Sequence, residues 1–481
     1  MNFIFYFPQP KIIEIYSKKK NIFFFDNKGM YKIRNKKRQN INLNQSIPNS
    51  ILKNINLNEM IKNMSDWGPI WSRFVDRGDQ YELYKREILM KSIQIINFIK
   101  INKIKKIIMF TYLSHNIQSL MFDLISRYSN TQQIFFFSST LIPGNKDNLI
   151  APLIQKKSIK DRYFIKTNLS NFSFKEYLLK KRENLDKTKN EKFSTYKSYY
   201  EEYFYSRNFI LSFIKIIIYY SYANIRKKFF NFFNKDYLYM DIMHYSLRTH
   251  LTQIYQQKKS FKYYYQNIFN LSYGPMKKSL LILSHTQPEA SSYPLGQEWS
   301  NHVDIMLELK KKNYKGKIFY KEHATNFNYY DKIIHHGRKG SNRSENYYKN
   351  LITLGASMLP HDINIFSNYM LKNFLPVTIS GSVAIERSLL GLKTIYFGYP
   401  WWKGLPGTVH INEISKLDNI NNYFTKSKKI SDDSIKFICN KLDKSLIENY
   451  PEMHSIKNDH QYTKKMFKNR FDDLLKTLSN S

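Results

Sequence analysis

The sequence predicts an α/β protein built from two doubly wound, parallel-sheet units. Short apolar runs alternate with helix-period stretches in both halves of the chain, the pattern left by parallel strands and their crossover helices. In the C-terminal half the alternation is crisp, and polar loops follow three of its apolar runs. A Gly274-Pro275 break separates the halves and places the boundary within 270–277, so that residues 1–273 form one unit and 274–481 the other.

The chain opens on an apolar run, 1–8, that meets Pro8 and Pro10 and lacks the basic start of a secretory leader, so a first buried strand is expected there. An aromatic run at 21–25, an Asn-rich polar patch at 38–58 and a helix over 80–100 follow. Apolar runs at 106–113 and 134–137 flank a helical pattern through Met121, Leu124 and Ile125, which makes a strand, helix, strand unit. From about 170 to 270 the chain is rich in Lys, Tyr and Phe; this reads as a helical insertion in the first unit, with basic and aromatic faces. Beyond the boundary, strands are expected at 280–283, 317–320, 351–354, 377–379 and 394–397. A helix is expected over 298–312, with Val303, Met306, Leu307 and Lys310 at helical spacing and Gly316 past its end.

A chain of 481 residues with 42% hydrophobic and 16% aromatic content can bury a large core, which excludes a wholly disordered or fibrous protein. Lys and Arg number 76 against 38 Asp and Glu, a formal charge of +38. That charge is spread along the chain among the Ile, Asn, Tyr and Phe that AT-rich codons supply, and no nucleic-acid-binding motif accompanies it. Nucleic acid is therefore not an expected partner. One cysteine, Cys439, rules out an internal disulfide and a cysteine-built metal site, and reads as a small buried residue in a helix. The longest oily stretch, 209–225, is broken by Lys215 and carries Tyr219, Tyr220 and Tyr222, too short and too polar for a spanning helix. A cytoplasmic chain is expected. Its region 181–262, with Arg226-Lys227-Lys228-Phe229-Phe230, suits peripheral contact with an anionic membrane.

Three polar loops carry the candidate chemistry. At 377–398 a strand runs into Ser380-Gly381-Ser382, a helix starts at once, and Glu386 sits one turn in. Free amides and the helix start there favour a phosphate, Gly381 permits close approach, and Glu386 can accept hydrogen bonds from a ribose. Lys321-Glu322-His323 follows the next apolar run, where Lys neutralises an anion and His serves as acid or base. Ser284-His285 and Glu289 follow a third run, which puts the ionisable His285 and Glu289, candidate catalytic groups together with His323, beside the other two loops if the sheet is parallel. Arg338 and Arg343 are placed to clamp phosphate or carboxylate, and Trp401 and Trp402 to stack on a base or sugar ring. The adjacent His335 and His336 point to opposite faces if they lie in a strand, so no metal site is assigned. Asp76, Asp79 and His115 are the candidates for a catalytic base in the first unit.

Taken in order, HTQPEASSYPLG at 285–296, YKEHATNF at 320–327 and TISGSVAIERSLLGLKTIYFGYPWW at 378–402 resemble the capsule polysaccharide biosynthesis proteins, whose best-understood members are bacterial Kdo transferases of the GT-B type. That family carries similar Gln-Pro-Glu, Lys-Glu-His-Pro and Gly-Ser…Glu stretches, and the likeness covers roughly 278–412. It has proline where this chain has Ala324, and commonly alanine where this chain has Arg387. The resemblance implies two Rossmann-like domains facing a central cleft, with the acceptor on the first and the nucleotide sugar on the second. It implies transfer of a sugar such as Kdo from a donor such as CMP-Kdo to a growing, lipid-linked glycan, with no cofactor. Lys321, Glu322, His323, Gly381, Ser382 and Glu386 fall on the family's donor-side positions. The alternatives are a CDP-polyol phosphotransferase on a similar fold, a basic nucleic-acid-binding protein and a non-catalytic assembly or export partner.

Overall fold

The computed structural model describes residues 1–6, 21–25, 33–34, 56–65, 78–109, 117–137, 151–155, 162–168, 172–191, 247–271, 277–285, 295–323, 343–445 and 464–480, with a few single positions between them. Two mostly parallel sheets organise these residues, and helices pack against each.

The first sheet contains β1 (Asn2–Tyr6), β2 (Ile22–Phe25), β3 (Ile33–Arg34), β4 (Ile104–Met109), β5 (Gln132–Phe137), β6 (Ala151–Gln155) and β7 (Arg162–Phe164), in the order β3-β2-β1-β4-β5-β6-β7. Its inner four strands run parallel, while β3 on one edge and β6 and β7 on the other are antiparallel. Helices α1 (Leu57–Ser65) and α2 (Gly78–Ile101) precede β4, and α3 (Ile117–Ser129) joins β4 to β5. The opening strand and the strand, helix, strand unit expected from sequence are thus β1 and β4-α3-β5. Continuous burial along Ile107, Ile108 and Met109 explains why β4 reads as an apolar run rather than an alternation.

Helices α4 (Phe174–Lys187) and α5 (Leu247–Gln266) come next. They are followed by β8 (Ser279–Leu283), α6 (His302–Lys311), β9 (Ile318–Lys321), α7 (Glu345–Thr353), β10 (Ala356–Leu359), α8 (Asn368–Asn373), β11 (Phe374–Thr378), α9 (Val383–Leu389), β12 (Thr394–Tyr396), β13 (Thr408–His410), α10 (Lys428–Leu442) and α11 (Lys464–Asn480). The second sheet has the order β10-β9-β8-β11-β12-β13 with every pair parallel. Chain order therefore reverses between β8 and β11, which makes that gap the switch point of a doubly wound sheet.

Two expected elements shift. Residues 351–354 are not a strand: 351–353 form the end of α7 and Leu354 is its C-cap, while the strand is β10. Ser344 starts this helix by accepting from the Tyr347 amide at 3.1 Å, and a four-residue apolar run looks the same in a strand as on a buried helix face. The helix expected over 298–312 begins at His302, because Asn301 Oδ1 accepts from the Val303 amide at 3.1 Å and caps it there. Its buried apolar face is Ile305, Met306 and Leu309, while Leu307 is 49% exposed.

Packing crosses the expected boundary. One face of the second sheet buries Leu280, Ile282, Ile318 and Val377 beneath α5, α6 and α7, with Phe261 and Tyr264 supplied by α5. On the other side, Phe174 and Leu178 of α4 join Ala384, Ile385 and Leu389 of α9, Ile435 and Ile438 of α10, and Ala151 of β6. Helix α11 makes the opposite journey: Phe471, Leu474 and Leu478 cover Phe3, Phe5, Ile108 and Ile134 of the first sheet. Lys106 Nζ donates to the Leu478 carbonyl, and Lys19 pairs with Asp472 at 2.7 Å. A division at 273 separates the sheets but not the helices that cover them.

Among the described residues no helix is long and apolar enough to cross a membrane. The basic stretch at 226–230 lies outside them.

Candidate functional site

Because β8, β9 and β11 run parallel, their carboxyl ends reach one edge of the second sheet and bring three of the polar loops together. Ser284 and His285 follow β8, Lys321 closes β9 ahead of Glu322 and His323, and Ile379 to Ser382 follow β11.

Glu322 is the hub of the first two loops, and it is fully buried. Its Oε2 accepts from Arg343 Nε at 2.7 Å and from the hydroxyls of Tyr320 and Tyr348, each at 2.9 Å. Its Oε1 accepts from Asn326 Nδ2 at 2.7 Å, from the His323 amide at 2.9 Å and from the Ser284 hydroxyl. Burial alone would raise this carboxyl, but the Arg343 guanidinium and the hydrogen bonds from Arg343, Ser284 and Asn326 outweigh it and hold the group well below the usual carboxylate range. Arg343 is equally buried and lies over the Tyr347 ring, 4.4 Å from its centroid. Sequence reasoning offers Glu322 and Arg343 to the substrate; the fold gives them to each other. Their chemistry is to fix the β8 and β9 loops, and Asn326 extends the network by donating to the His285 carbonyl at 2.9 Å.

His285 ties in the third loop. Its Nε2 accepts from the amides of Ile379 at 3.2 Å and Ser380 at 3.3 Å, and lies 3.1 Å from Thr378 Oγ1. Burial first, then the charges of His323 and Arg343, push its pKa down to about 3, so the ring is neutral at ordinary pH with Nε2 as the acceptor. A ring in that state is a poor proton donor. The geometry makes His285 a brace for the β11 to α9 corner, where the sequence suggests a catalytic group. The need for Gly381 has the same origin: a Cβ there would stand 2.7 Å from Thr378 Oγ1 and 3.2 Å from His285 Cε1. Its amide donates to Thr378 Oγ1 at 3.1 Å. Three amides that look free in the sequence, those of 379, 380 and 381, are thus turned inward. What the corner presents outward is Ser382, which is exposed and makes no capping hydrogen bond with its hydroxyl.

Three further ionisable side chains stand on β9, the loop after it and α9. Lys321 is half-buried; burial lowers its amine to about 8, against the pull of Asp362 and Glu322. His323 is half-buried beside the hub. Glu386, one turn into α9, is reached by Lys181 of α4 at 3.2 Å. Arg387 is buried, donates from Nε to the Lys393 carbonyl at 3.1 Å, and is lowered to about 9 by burial.

Sequence reasoning misses His361 and Asp362, which follow β10 and become a fourth strand tip only once 351–354 is recognised as helical. His361 Nδ1 lies 3.0 Å from the Tyr265 hydroxyl, and burial lowers it to about 4. Tyr320, Tyr347 and Tyr348 are missed as well, since nothing separates a hydroxyl that supports a carboxylate from an aromatic that only fills a core. Trp402 is such a core residue, buried with its ring 4.9 Å from Tyr396, and Trp401 packs on Phe164 at 5.7 Å; the pair forms a packed corner rather than a stacking platform. Cys439 is half-buried on α10, its thiol raised to about 11 by burial. Glu289, Arg338, His335, His336, Asp76 and His115 lie outside the described residues, and Asp79 sits at the start of α2. Among the described residues no three His, Cys, Asp or Glu side chains gather as a metal site requires. No protein-family model matches the chain, and no curated protein matches it.

Proposed function

We propose that the chain is a glycosyltransferase of surface polysaccharide biosynthesis that moves a sugar from a nucleotide-activated donor to a growing glycan, with the donor held at the switch point of the second sheet. The observation that carries this reading is the reversal of strand order between β8 and β11, with the β8 and β11 loops braced together across it by His285. Open parallel sheets take their ligands in that crevice. The likeness of the three loop segments to Kdo transferases adds the chemical class.

Each of these groups then has a role. The Ser382 hydroxyl meets a phosphate oxygen, Glu386 accepts from the ribose hydroxyls, and Lys321 with His323 receives the charge that develops on the leaving nucleotide. Glu322, Arg343 and His285 keep the loops in place for this work. In this reading the architecture is of the GT-B type, the first unit presents the acceptor across the cleft, and the chain works at the cytoplasmic face of a bacterial inner membrane on a lipid-linked glycan.

The test is a donor screen with the purified chain: CMP-Kdo, UDP- and GDP-sugars and a CDP-polyol, each with and without lipid-linked glycan, scored for release of CMP, UDP or GDP. Acceptor-dependent release of one nucleotide from a sugar donor is expected. Release of CMP from a CDP-polyol alone would turn the reading to phosphotransfer, and release from no donor would overturn it.

A further inference from the structure

We propose that Lys181, supplied by a helix formed before the second sheet begins, is the positioning residue for the Glu386 carboxylate in the donor site; the inference rests on the donor reading above. Lys181 Nζ lies 3.2 Å from Glu386 Oε1, and each side chain is only 18% exposed, so the pair is partly shielded from water and from screening ions. A glutamate has three side-chain torsions to fix before it can meet a ligand. An ammonium group that occupies Oε1 fixes them in advance and leaves Oε2 for the ligand, which lowers the ordering cost of binding.

The position of Lys181 does not depend on that pair. Phe174 and Leu178, both fully buried, anchor α4 against Ala384, Ile385 and Leu389. The Phe174 amide donates to Asp443 Oδ1 at 3.2 Å, and Arg182 Nη1 donates to the Ser431 hydroxyl at 3.1 Å while lying 3.6 Å from Asp432. Past the helix end, Asn364 Nδ2 donates to the carbonyls of Thr188 at 2.8 Å and Glu191 at 3.1 Å, which binds the turn after α4 to the loop after β10. The backbone under Lys181 is therefore held at both ends by contacts that would survive loss of its amine. Donor binding at the second sheet becomes sensitive to a residue from the segment that links the two sheets.

A double-mutant cycle tests this, with CMP, UDP and GDP titrated into the full chain by calorimetry. The variants are K181A, K181R, E386A and the K181A/E386A double. The expected result is that K181A weakens the nucleotide about fivefold, the scale of a partly exposed charge pair, that K181R restores most of the loss, and that K181A melts close to the wild type. In the E386A background K181A should cost nothing further, because Lys181 acts through Glu386. Wild-type affinity in K181A would overturn the inference, as would an equal loss in both backgrounds, or an early-melting K181A that arginine does not rescue. A wild-type chain that binds none of the three nucleotides would overturn the donor reading itself, which keeps the two failures apart.

Discussion

Glu322 shows how a polar residue at a strand tip can serve the fold rather than the ligand. Its two oxygens take donors from β9, α7, the loops after β8 and β9 and the residue ahead of the α7 cap, and Arg343 neutralises it out of contact with solvent. Replacing it by glutamine leaves that guanidinium buried without its counter-charge; E322Q should therefore lose about 3 to 5 kcal/mol in urea denaturation. A loss below about 1 kcal/mol would mean that the network adds little. The same residues set the response to acid. His285 is held near pH 3, below its ordinary 6.5, so between those values the unfolded chain takes up a proton that the native chain refuses, and stability falls as the pH falls. Glu322 acts in the same direction from about pH 4.5 downward, since its carboxyl is depressed in the native state. Melting temperature should decline from about pH 6.5, more steeply below about 4.5, and H285N should flatten the upper part of that decline. A melting temperature constant from pH 7 to 5 would contradict the placement of His285. The sequence marks Ser284, His285, Glu322 and the 380–382 corner through their polarity after apolar runs. It cannot mark Tyr320, Tyr348 or Asn326, because a hydrogen bond across three loops has no spacing along the chain.

At the scale of elements, the chain builds its sheets in order but covers them out of order. Helices α4 and α5 precede the second sheet and pack on it, while α11 ends the described chain on the first sheet. Helical periodicity reveals that a helix has an apolar face without saying which sheet that face will meet, and the two described helices of the expected insertion, α4 and α5, pack on the second sheet. Alternation of strand and helix is a local property, and it is legible; β1, β4, β5, β8, β9, β11 and β12 lie close to where the apolar runs place them. The failure at 351–354 has the same physical root, since burial makes a short helix face as apolar as a strand. Leu474, fully buried between α11 and the first sheet, gives the element a test. L474A should cost about 2 to 4 kcal/mol through lost burial and the cavity left behind. Amide exchange should accelerate in β1 and β4 and leave β8 and β11 protected. Equal acceleration in both sheets would show that α11 stabilises the molecule as a whole rather than the first sheet.

For the whole molecule, composition and alternation fix an α/β chain with two mostly parallel sheets, and the strand order adds what sequence cannot supply, the location of a switch point. Chain order reverses between β8 and β11; of the side chains that sequence nominates there, His285 and Glu322 are turned inward as braces and Ser382 is exposed. The central claim is that a nucleotide binds at this reversal with Glu386 as one of its contacts. The most direct measurement is calorimetric titration of CMP, UDP and GDP into the wild-type chain and E386A. One nucleotide should bind the wild type at a single site, and E386A should weaken it about tenfold, the scale of a lost charged hydrogen bond. Equal affinity in the two proteins, or no heat from any of the three nucleotides, would contradict the account.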